Sequence, residues 1–540
     1  MATMINILSK YKDIVSKCSL IHSGSPAVYQ LKPKKETFGT MTRKTVGEKN
    51  LNEINKTILL VGETGSGKST LINTLMNYTM GVKFEDNIWF EIVEDEKRSQ
   101  TESQTLDVIV YEIFGFKGQT LPYSLTIIDT PGYGDTRGIE HDERVSQRLF
   151  DLFRSNDGVH EINAVGLVMK SSDNRVSDRL SYIFDSAMSL FGKNMEKNIV
   201  ALITHSDGMT PENVLQALEG AEIKCAKNEK NEPVHFLFNN CLSRERTEKN
   251  KPGLKNAWEV TEEGMEQFTN FLETLTAQKL TTTVEVLNLT VRLKACIQNL
   301  QERIEFTEMK QKELQEIQEA LTKHEQEMNK NENFTVEVDE PYKVKESISG
   351  GWWWPLIPFY SGAVCCTVCE ENCHYPGCTI AWYPKDCVVM PGGGCTVCTG
   401  KCPVSAHVKE KWIYVNKMKK VQKTLEEMKE KYEKNKEESG KKTNLLGNVE
   451  KEMRDLTAEK NQLLEESYQH VVSLEQIALN VNSLSTHVHL DLLIEKMKEK
   501  GDTEKVQKLG EIQRGQESKK GFVTGLWYKY GKKNKGAEDE

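Results

Sequence analysis

The run Thr57-Ile-Leu-Leu-Val-Gly-Glu-Thr-Gly-Ser-Gly-Lys-Ser-Thr70 constrains this chain more than any other stretch. An apolar segment, Ile58 to Val61, leads into Gly62-x-x-x-x-Gly67-Lys68-Ser69, and Leu71, Ile72 and Leu75 follow at helical spacing. Strand, glycine-rich loop and helix in that order predict a phosphate-binding loop. The backbone of Gly62, Glu63, Thr64, Gly65, Ser66 and Gly67 can curl its N–H groups around an anion. Lys68 brings a positive charge to the outer phosphates, and Ser69, followed by Thr70, offers a hydroxyl to Mg²⁺. The helix that starts here adds the positive end of its dipole. A nucleoside triphosphate site is the expectation.

With 540 residues the chain is too long for one core and is expected to divide into about three parts. A net charge of −9 argues against a general nucleic-acid binder, so no nucleic-acid partner is expected. A hydrophobic content of 38% suits long solvated helices. No apolar run approaches the ~20 residues that span a bilayer. Scattered Lys and Asp near the N-terminus, in place of an apolar signal core, point to a cytoplasmic protein. Its 13 cysteines should then be thiols or metal ligands, and nine of them fall between Cys365 and Cys402.

Downstream of the loop, residues 106–114 and 125–128 read as strands. The second ends in Asp129-Thr-Pro-Gly132. A carboxylate there can hold Mg²⁺ through water, and the Gly132 N–H can meet the terminal phosphate, so that the next loop senses it. Residues 164–169 form a third strand without a polar catalytic residue. A fourth, 198–203, ends in Thr204-His205-Ser206-Asp207. Asp207 can accept two hydrogen bonds from N1–H and the N2 amino group of guanine, a donor pair that adenine lacks. His205 either stacks on the purine or is an ordinary loop histidine. A fifth strand, 233–238, ends in Asn239-Asn240, suited to closing over the far edge of the base.

These residues together resemble the septin-like and immune-associated (IAN/GIMAP) GTPases, with the chloroplast import-receptor GTPases as relatives. Asp129-Thr-Pro-Gly-Tyr-Gly-Asp135 is similar to septins, while Thr204-His-Ser-Asp207 and Phe238-Asn-Asn240 are similar to the immune-associated group. The resemblance covers about residues 50–275. It implies a doubly wound α/β P-loop GTPase domain with GTP or GDP and Mg²⁺ at the carboxyl ends of the strands. It also implies a switch threonine, Thr105 with Thr101 as the alternative, so that Ser69, Thr105 and Asp129 serve Mg²⁺ and Lys68, Thr105 and Gly132 serve hydrolysis. Two departures stand out. His205 replaces the usual lysine of its motif, and Tyr133 follows Gly132 where Ras-like enzymes carry a water-orienting glutamine. Slow hydrolysis is therefore expected, assisted by a partner or by a second copy, with Arg137 as a candidate arginine in trans. The chain would act as a switch through GTP-dependent self-association. A septin-like assembly in which nucleotide mainly joins subunits is the rival.

After residue 278 the character changes. Val286, Leu293, Leu300, Leu314, Leu321 and Met328 recur at heptad spacing, interrupted by Thr307, with Ile297 and Ile304 between them. Val415, Met418, Val421, Leu425, Met428 and Tyr432 suggest a second helix, and helical periodicity continues over about 449–509. Either an antiparallel helical hairpin with an insert at its tip or a parallel dimer satisfies these seams. The insert starts with Gly350-Gly-Trp-Trp-Trp-Pro-Leu-Ile-Pro-Phe-Tyr360, followed by Cys366-Thr-Val-Cys369-x-x-x-Cys373-His374, Cys378, Cys387, Cys395-Thr-Val-Cys398-x-x-x-Cys402 and His407. Two knuckles of this kind predict structural Zn²⁺, about two ions, with Cys366, Cys369, Cys395 and Cys398 as the leading set and Cys365 as a bystander. A ubiquitin-ligase RING would need a longer gap after the first knuckle. The expected layout is a helical or linker segment over 1–50 and a GTP-binding domain over 51–278. A coiled-coil stalk over 279–333, a zinc module over 350–407, a helical region over 408–515 and a tail over 516–540 complete it. The stalk or module would contact an unknown protein partner. Weak membrane contact through the Trp-rich segment or the aromatic, Lys-rich tail is a further expectation.

Overall fold

A computed structural model describes residues 10–38, 41–50, 52–94, 107–116, 120–131, 139–173, 178–239, 241–323, 335–348, 362–378, 381–424, 445–480 and 484–514. The chain divides into two compact units, Met1–Leu287 with Ile477–Leu484 and Gln513–Glu540, and Asn288–Gln476 with Ser485–Ile512.

In the first unit the strands are β1 (Ser19–His22), β2 (Ala27–Gln30), β3 (Lys34–Phe38), β4 (Met41–Val46), β5 (Asn55–Gly62), β6 (Ile88–Glu91), β7 (Ile109–Ile113), β8 (Ser124–Asp129), β9 (Glu161–Ile162), β10 (Ala164–Lys170), β11 (Ile199–Thr204), β12 (His235–Leu237) and β13 (Gln278–Lys279). Eight of them form one mixed sheet in the order β12-β11-β10-β5-β8-β7-β4-β3. Strands β12, β11, β10, β5 and β8 run parallel, and β7 opposes β8. Ile58, Leu59, Leu60 and Val61 of the central β5 are wholly buried. A strand covered on both faces reads as an unbroken apolar run, and each such side chain contributes about 1.5–3 kcal/mol on burial. The helices include α1 (Lys12–Val15), α2 (Lys68–Thr79), α3 (Ile139–Arg154), α4 (Asp178–Met188), α5 (Glu212–Gly220) and α6 (Lys251–Thr274). Leu71, Ile72 and Leu75 of α2 and Trp258, Met265 and Phe268 of α6 join the same core as Ile58 and Leu60.

Residues 1–50 depart from the expected helical or linker segment. Beyond the single-turn α1 they supply four strands, two of which extend the main sheet. Strand β4 pairs parallel with β7 from Thr42↔Ile109 to Val46↔Ile113, and β3 pairs antiparallel with β4. The Thr and Lys content of this hairpin hides it, because only Met41 and Lys44 turn inward while the remaining side chains are partly or fully exposed. Residues 478–480 also belong to this unit. Ala478 bridges Gly192, the Leu479 N–H donates to the Phe191 carbonyl at 2.8 Å, and Asn480 Nδ2 donates to Asp185 Oδ1 at 2.9 Å.

The boundary between the units falls within helix α7 (Thr281–Lys323). Val286, Leu293, Ile297, Leu300, Ile304 and Leu314 of its heptad stripe are buried. The second helix expected over 415–432 is a strand in its described part, residues 425–432 lying outside the described residues: β18 (Trp412–Thr424) pairs antiparallel with β14 (Thr335–Ser347) over thirteen positions, from Thr335↔Thr424 to Ser347↔Trp412. An antiparallel hairpin therefore does enclose the cysteine block, but its arms are strands. The three-residue spacing of Val415, Met418 and Val421 is misleading because the intervening lysines face glutamates of the opposite strand. Lys419 meets Glu340 at 2.9 Å, Lys420 meets Glu337 at 3.1 Å, and Lys417 meets Glu346. Cross-strand charge pairs stabilise a ladder just as i,i+4 pairs stabilise a helix. Lys423 reaches further, to Glu313 of α7 at 2.6 Å as well as to Glu340 at 2.8 Å.

The cysteine block holds a three-stranded sheet of β15 (Ala363–Cys366), β16 (Glu371–His374) and β17 (His407–Glu410). It lies along the flank of α7 and not at the tip of a stalk. Arg292 Nε donates to the Val388 carbonyl at 3.0 Å, and Asn299 Nδ2 reaches Glu371 Oε2 and the Asn372 carbonyl, each at 3.3 Å. Asn372 Nδ2 donates to Glu302 Oε2 at 2.9 Å, and burial pushes the Glu302 carboxyl up to about 7. Helices α8 (Leu445–Ile477), α9 (Leu484–Lys500) and α10 (Thr503–Arg514) complete the chain. Glu459 of α8 pairs with Arg303 of α7, and Glu475 with Lys508 of α10 at 3.0 Å. Among the described residues, no helix is long and apolar enough to cross a membrane.

Candidate functional site

The loop between β5 and α2 has the shape of an anion cradle. Gly65 and Gly67 take left-handed backbone angles, with φ of 77° and 94°, which a side chain would strain. Lys68 is the first residue of α2 and is buried, its Nζ donating to the Gly62 carbonyl at 2.8 Å and the Glu63 carbonyl at 3.0 Å. Burial lowers its pKa to about 8, against the pull of Asp129 and Glu63. The hydroxyls of Thr64 and Ser66 are buried here without a hydrogen-bond partner among the described residues, donors and acceptors available to a polar ligand. Asp129 ends β8 with no exposed surface, in register with Leu60 of β5. The next hydroxyl, Thr130 Oγ1, donates to the Leu60 carbonyl at 2.8 Å and ties the end of β8 to β5.

The loop after β11 is tied directly to this cradle. Thr204 Oγ1 lies 2.6 Å from the Ser66 carbonyl and 3.0 Å from the Met169 carbonyl, joining the third loop to the first across β10. His205 follows in the left-handed region at φ 55°, its carbonyl accepting from Ser171 Oγ at 2.7 Å. Burial, then the nearby Lys170 and Arg244, lowers the His205 pKa, so the ring is uncharged at neutral pH and suited to stacking on a base. Asp207 is exposed, and its Oδ1 accepts the Met209 N–H at 3.0 Å, which orients the carboxylate. Asn239 has local partners on both sides of its carboxamide. Its Nδ2 donates to the Ser206 carbonyl at 2.8 Å and its Oδ1 accepts the Cys241 N–H at 3.1 Å, so the carboxamide braces the two base-side loops against each other. Ser69 and Thr70 stand in the first turn of α2, where a Mg²⁺-bound phosphate would lie. Thr101, Thr105, Gly132, Tyr133, Arg137 and Asn240 lie outside the described residues.

The sequence reading passed over Lys170. It ends β10, and its Nζ sits 3.9 Å from the place where a Cβ on Gly65 would be. A lysine closing a buried parallel strand at the carboxyl edge of the sheet was the available signal.

Residues 52–156 match the septin family model. In sequence this stretch resembles the septin-type P-loop GTP-binding domain. Neuronal-specific septin-3 of Danio rerio is 31% identical over 186 residues, covering 31% of this chain and 48% of that protein. Septin-5 of Homo sapiens is 27% identical over 176 residues, covering 30% of this chain and 43% of that protein. The chain thus spans under half the length of these curated relatives. Among solved structures, Toc33 from Arabidopsis thaliana in complex with Mg²⁺ and GMPPNP aligns over 51% of this chain and 93% of that chain. Its TM-score is 0.29 at 15% identity. The septin-like match includes β5, the cradle, α2, β7 and β8, and the Thr204–Ser66 bond extends that constellation to the base-side loop.

The cysteines of the second unit are free thiols, and eight of the ten gather with two histidines into three groups. Cys366, Cys369, Cys398 and Cys402 form one, Cys373, Cys395, Cys398 and His407 another, and His374, Cys378 and Cys387 a third, with the ligand atoms of each within 4.8 Å of one another. The expected leading set of Cys366, Cys369, Cys395 and Cys398 is therefore split. The two knuckles do not face one centre, because β16 and β17 bring Cys373 and His407 to Cys395 instead. Cys365 stays apart, with its Sγ 3.4 Å from Asn372 Oδ1.

Proposed function

We propose that this chain is a guanine-nucleotide-binding protein that hydrolyses GTP slowly with Mg²⁺, its nucleotide state governing self-association. The observation that carries the reading is the Thr204 hydroxyl bridging the guanine-side loop to the Ser66 carbonyl of the phosphate cradle. That bond would hold a phosphate site and a base site side by side. In it, Lys68 and the α2 N-terminus would hold the phosphates, Asp129 and Ser69 would serve Mg²⁺, and Asp207 would read N1–H and N2 of guanine. Slow turnover follows from Tyr133 standing where a water-orienting carboxamide would be needed.

Asp207→Asn provides the test. An asparagine presents one donor in place of an acceptor, which suits the C2 carbonyl of xanthine and leaves the guanine amino group unmatched. The variant should lose GTP affinity by about 10²-fold or more and gain affinity for XTP. Unchanged GTP preference refutes the assignment. A second reading, in which nucleotide serves mainly as an assembly ligand, is favoured by the septin relatives. Light scattering with GTP, GDP and no nucleotide separates the two: assembly that differs between GTP and GDP supports the switch, assembly equal in both and lost without nucleotide supports the assembly ligand, and assembly equal in all three states excludes both.

A further inference from the structure

We propose that the second unit holds three zinc ions, two of them joined through the shared thiolate of Cys398 and the third held separately by His374, Cys378 and Cys387. Ligand arithmetic leads to this arrangement. Two tetrahedral ions without a common ligand need eight donors, but Cys366, Cys369, Cys402, Cys373, Cys395, His407 and Cys398 are seven, and Cys398 belongs to both groups. Seven donors with one shared sulfur close two tetrahedra.

The geometry suits zinc. Two sulfurs on one tetrahedral zinc at Zn–S distances of ~2.3 Å lie about 3.8 Å apart. Cys369 Sγ and Cys402 Sγ are 3.6 Å apart, and Cys378 Sγ and Cys387 Sγ are 3.7 Å apart. His407 is buried, and its Nδ1 is 2.9 Å from the Pro403 carbonyl. A carbonyl only accepts, so Nδ1 carries the proton and the Nε2 lone pair faces the sulfurs. That Nε2 has no hydrogen-bond partner among the described residues. An oriented imidazole of this kind is the usual outer support of a metal-bound histidine.

Six thiolates and a neutral imidazole around two dications leave a net charge of about −2, which a buried cluster must offset. Backbone N–H groups point at the sulfurs: Cys369 N to Cys366 Sγ at 3.4 Å, Val397 N and Cys398 N to Cys395 Sγ at 3.3 and 3.4 Å, Gly400 N to Cys369 Sγ at 3.4 Å, and Cys402 N to Cys398 Sγ at 3.3 Å. Glycine at 400 leaves room for this approach, since a Cβ there would make tight contacts, 3.0 Å from Cys402 Sγ and 3.3 Å from Cys369 Sγ. In the third group His374 Nδ1 lies 3.2 Å from Cys387 Sγ and 3.6 Å from Cys378 Sγ. Three protein donors leave one tetrahedral position for water or another ligand. Each zinc that binds displaces the thiol protons of its cysteines to solvent, with no change of oxidation state.

The test uses the full chain purified without chelator and loaded with zinc alone. Elemental analysis should give about three zinc per chain, and two or fewer overturns the proposal. Cys398→Ser should lose two ions, whereas Cys378→Ser should lose one. A Cys398→Ser protein that loses only one ion refutes the shared thiolate. Because a ligand variant can fail to fold, cadmium NMR of the unmutated chain provides a separate measure. Two cadmium signals split by each other through the common sulfur, with a third unsplit, are expected. Three unsplit signals overturn the bridge.

Discussion

Thr204→Val tests whether the phosphate and base loops are coupled through a single hydroxyl. Valine is close to threonine in shape, so the substitution replaces Oγ1 by a methyl and leaves the surrounding packing in place. Thr204 is fully buried, and its one hydroxyl proton goes to the nearer acceptor, the Ser66 carbonyl at 2.6 Å. Removing the donor from a buried acceptor costs about 1–3 kcal/mol. If the free loop relaxes to let that carbonyl meet water, nucleotide binding must restore its position. GTP affinity then falls by at most the same amount, roughly 5- to 150-fold. We predict weakened binding of both GTP and GDP by calorimetric titration, together with a lower urea midpoint. Thr204→Ser keeps the hydroxyl and should bind within about 3-fold of the parent protein. A valine variant that matches the parent in both affinity and midpoint would show that the two loops are positioned independently.

Two other consequences follow. Lys68 has a folded pKa of about 8, below its unfolded value, so the free protein sheds this proton above that pH while bound phosphates restore it. GTP affinity should be flat up to pH ~7.5 and weaken by up to ~10-fold per unit above ~8, with proton uptake on binding, while stability of the nucleotide-free protein rises over the same interval. Constant affinity from pH 7 to 9 refutes this. In the second unit, Lys423→Met leaves the Glu313 carboxylate, whose side chain is 1% exposed, with Lys310 at 3.3 Å as its remaining cation among the described residues. That change should cost about 3–5 kcal/mol in denaturant unfolding, and the double variant Glu313→Leu/Lys423→Met should recover most of it. Equal loss in single and double variants would remove the pair from the energetics.

The legibility of this chain differs between its two units for a physical reason. Residues 55–79 were readable because strand, loop and helix are local: Ile58 to Val61 are buried on both faces, and the glycines and Lys68 meet the phosphate from adjacent positions. The β3–β4 hairpin was not, because its support comes from pairing with β7, more than sixty residues away, and leaves little apolar periodicity. In β18 the spacing of Val415, Met418 and Val421 imitated a helix. What decides the outcome is the run of glutamates and lysines on β14, eighty residues earlier, that faces its own lysines and glutamines. Asn239 was recognisable as a loop residue, but only the position of Ser206 reveals its bracing role.

By itself, the sequence determined a phosphate-binding loop, a buried parallel core and a compact set of metal-capable cysteines, since each depends on near neighbours in the chain. Tertiary structure alone decided that Thr204 ties the base loop to the cradle and that β-strands frame the cysteine block. It also decided that Cys398, one sulfur among nine, stands where two groups of ligands meet. Spacing along a chain says which atoms can turn toward one another locally, and only the pairing of distant strands says which of them share a point in space.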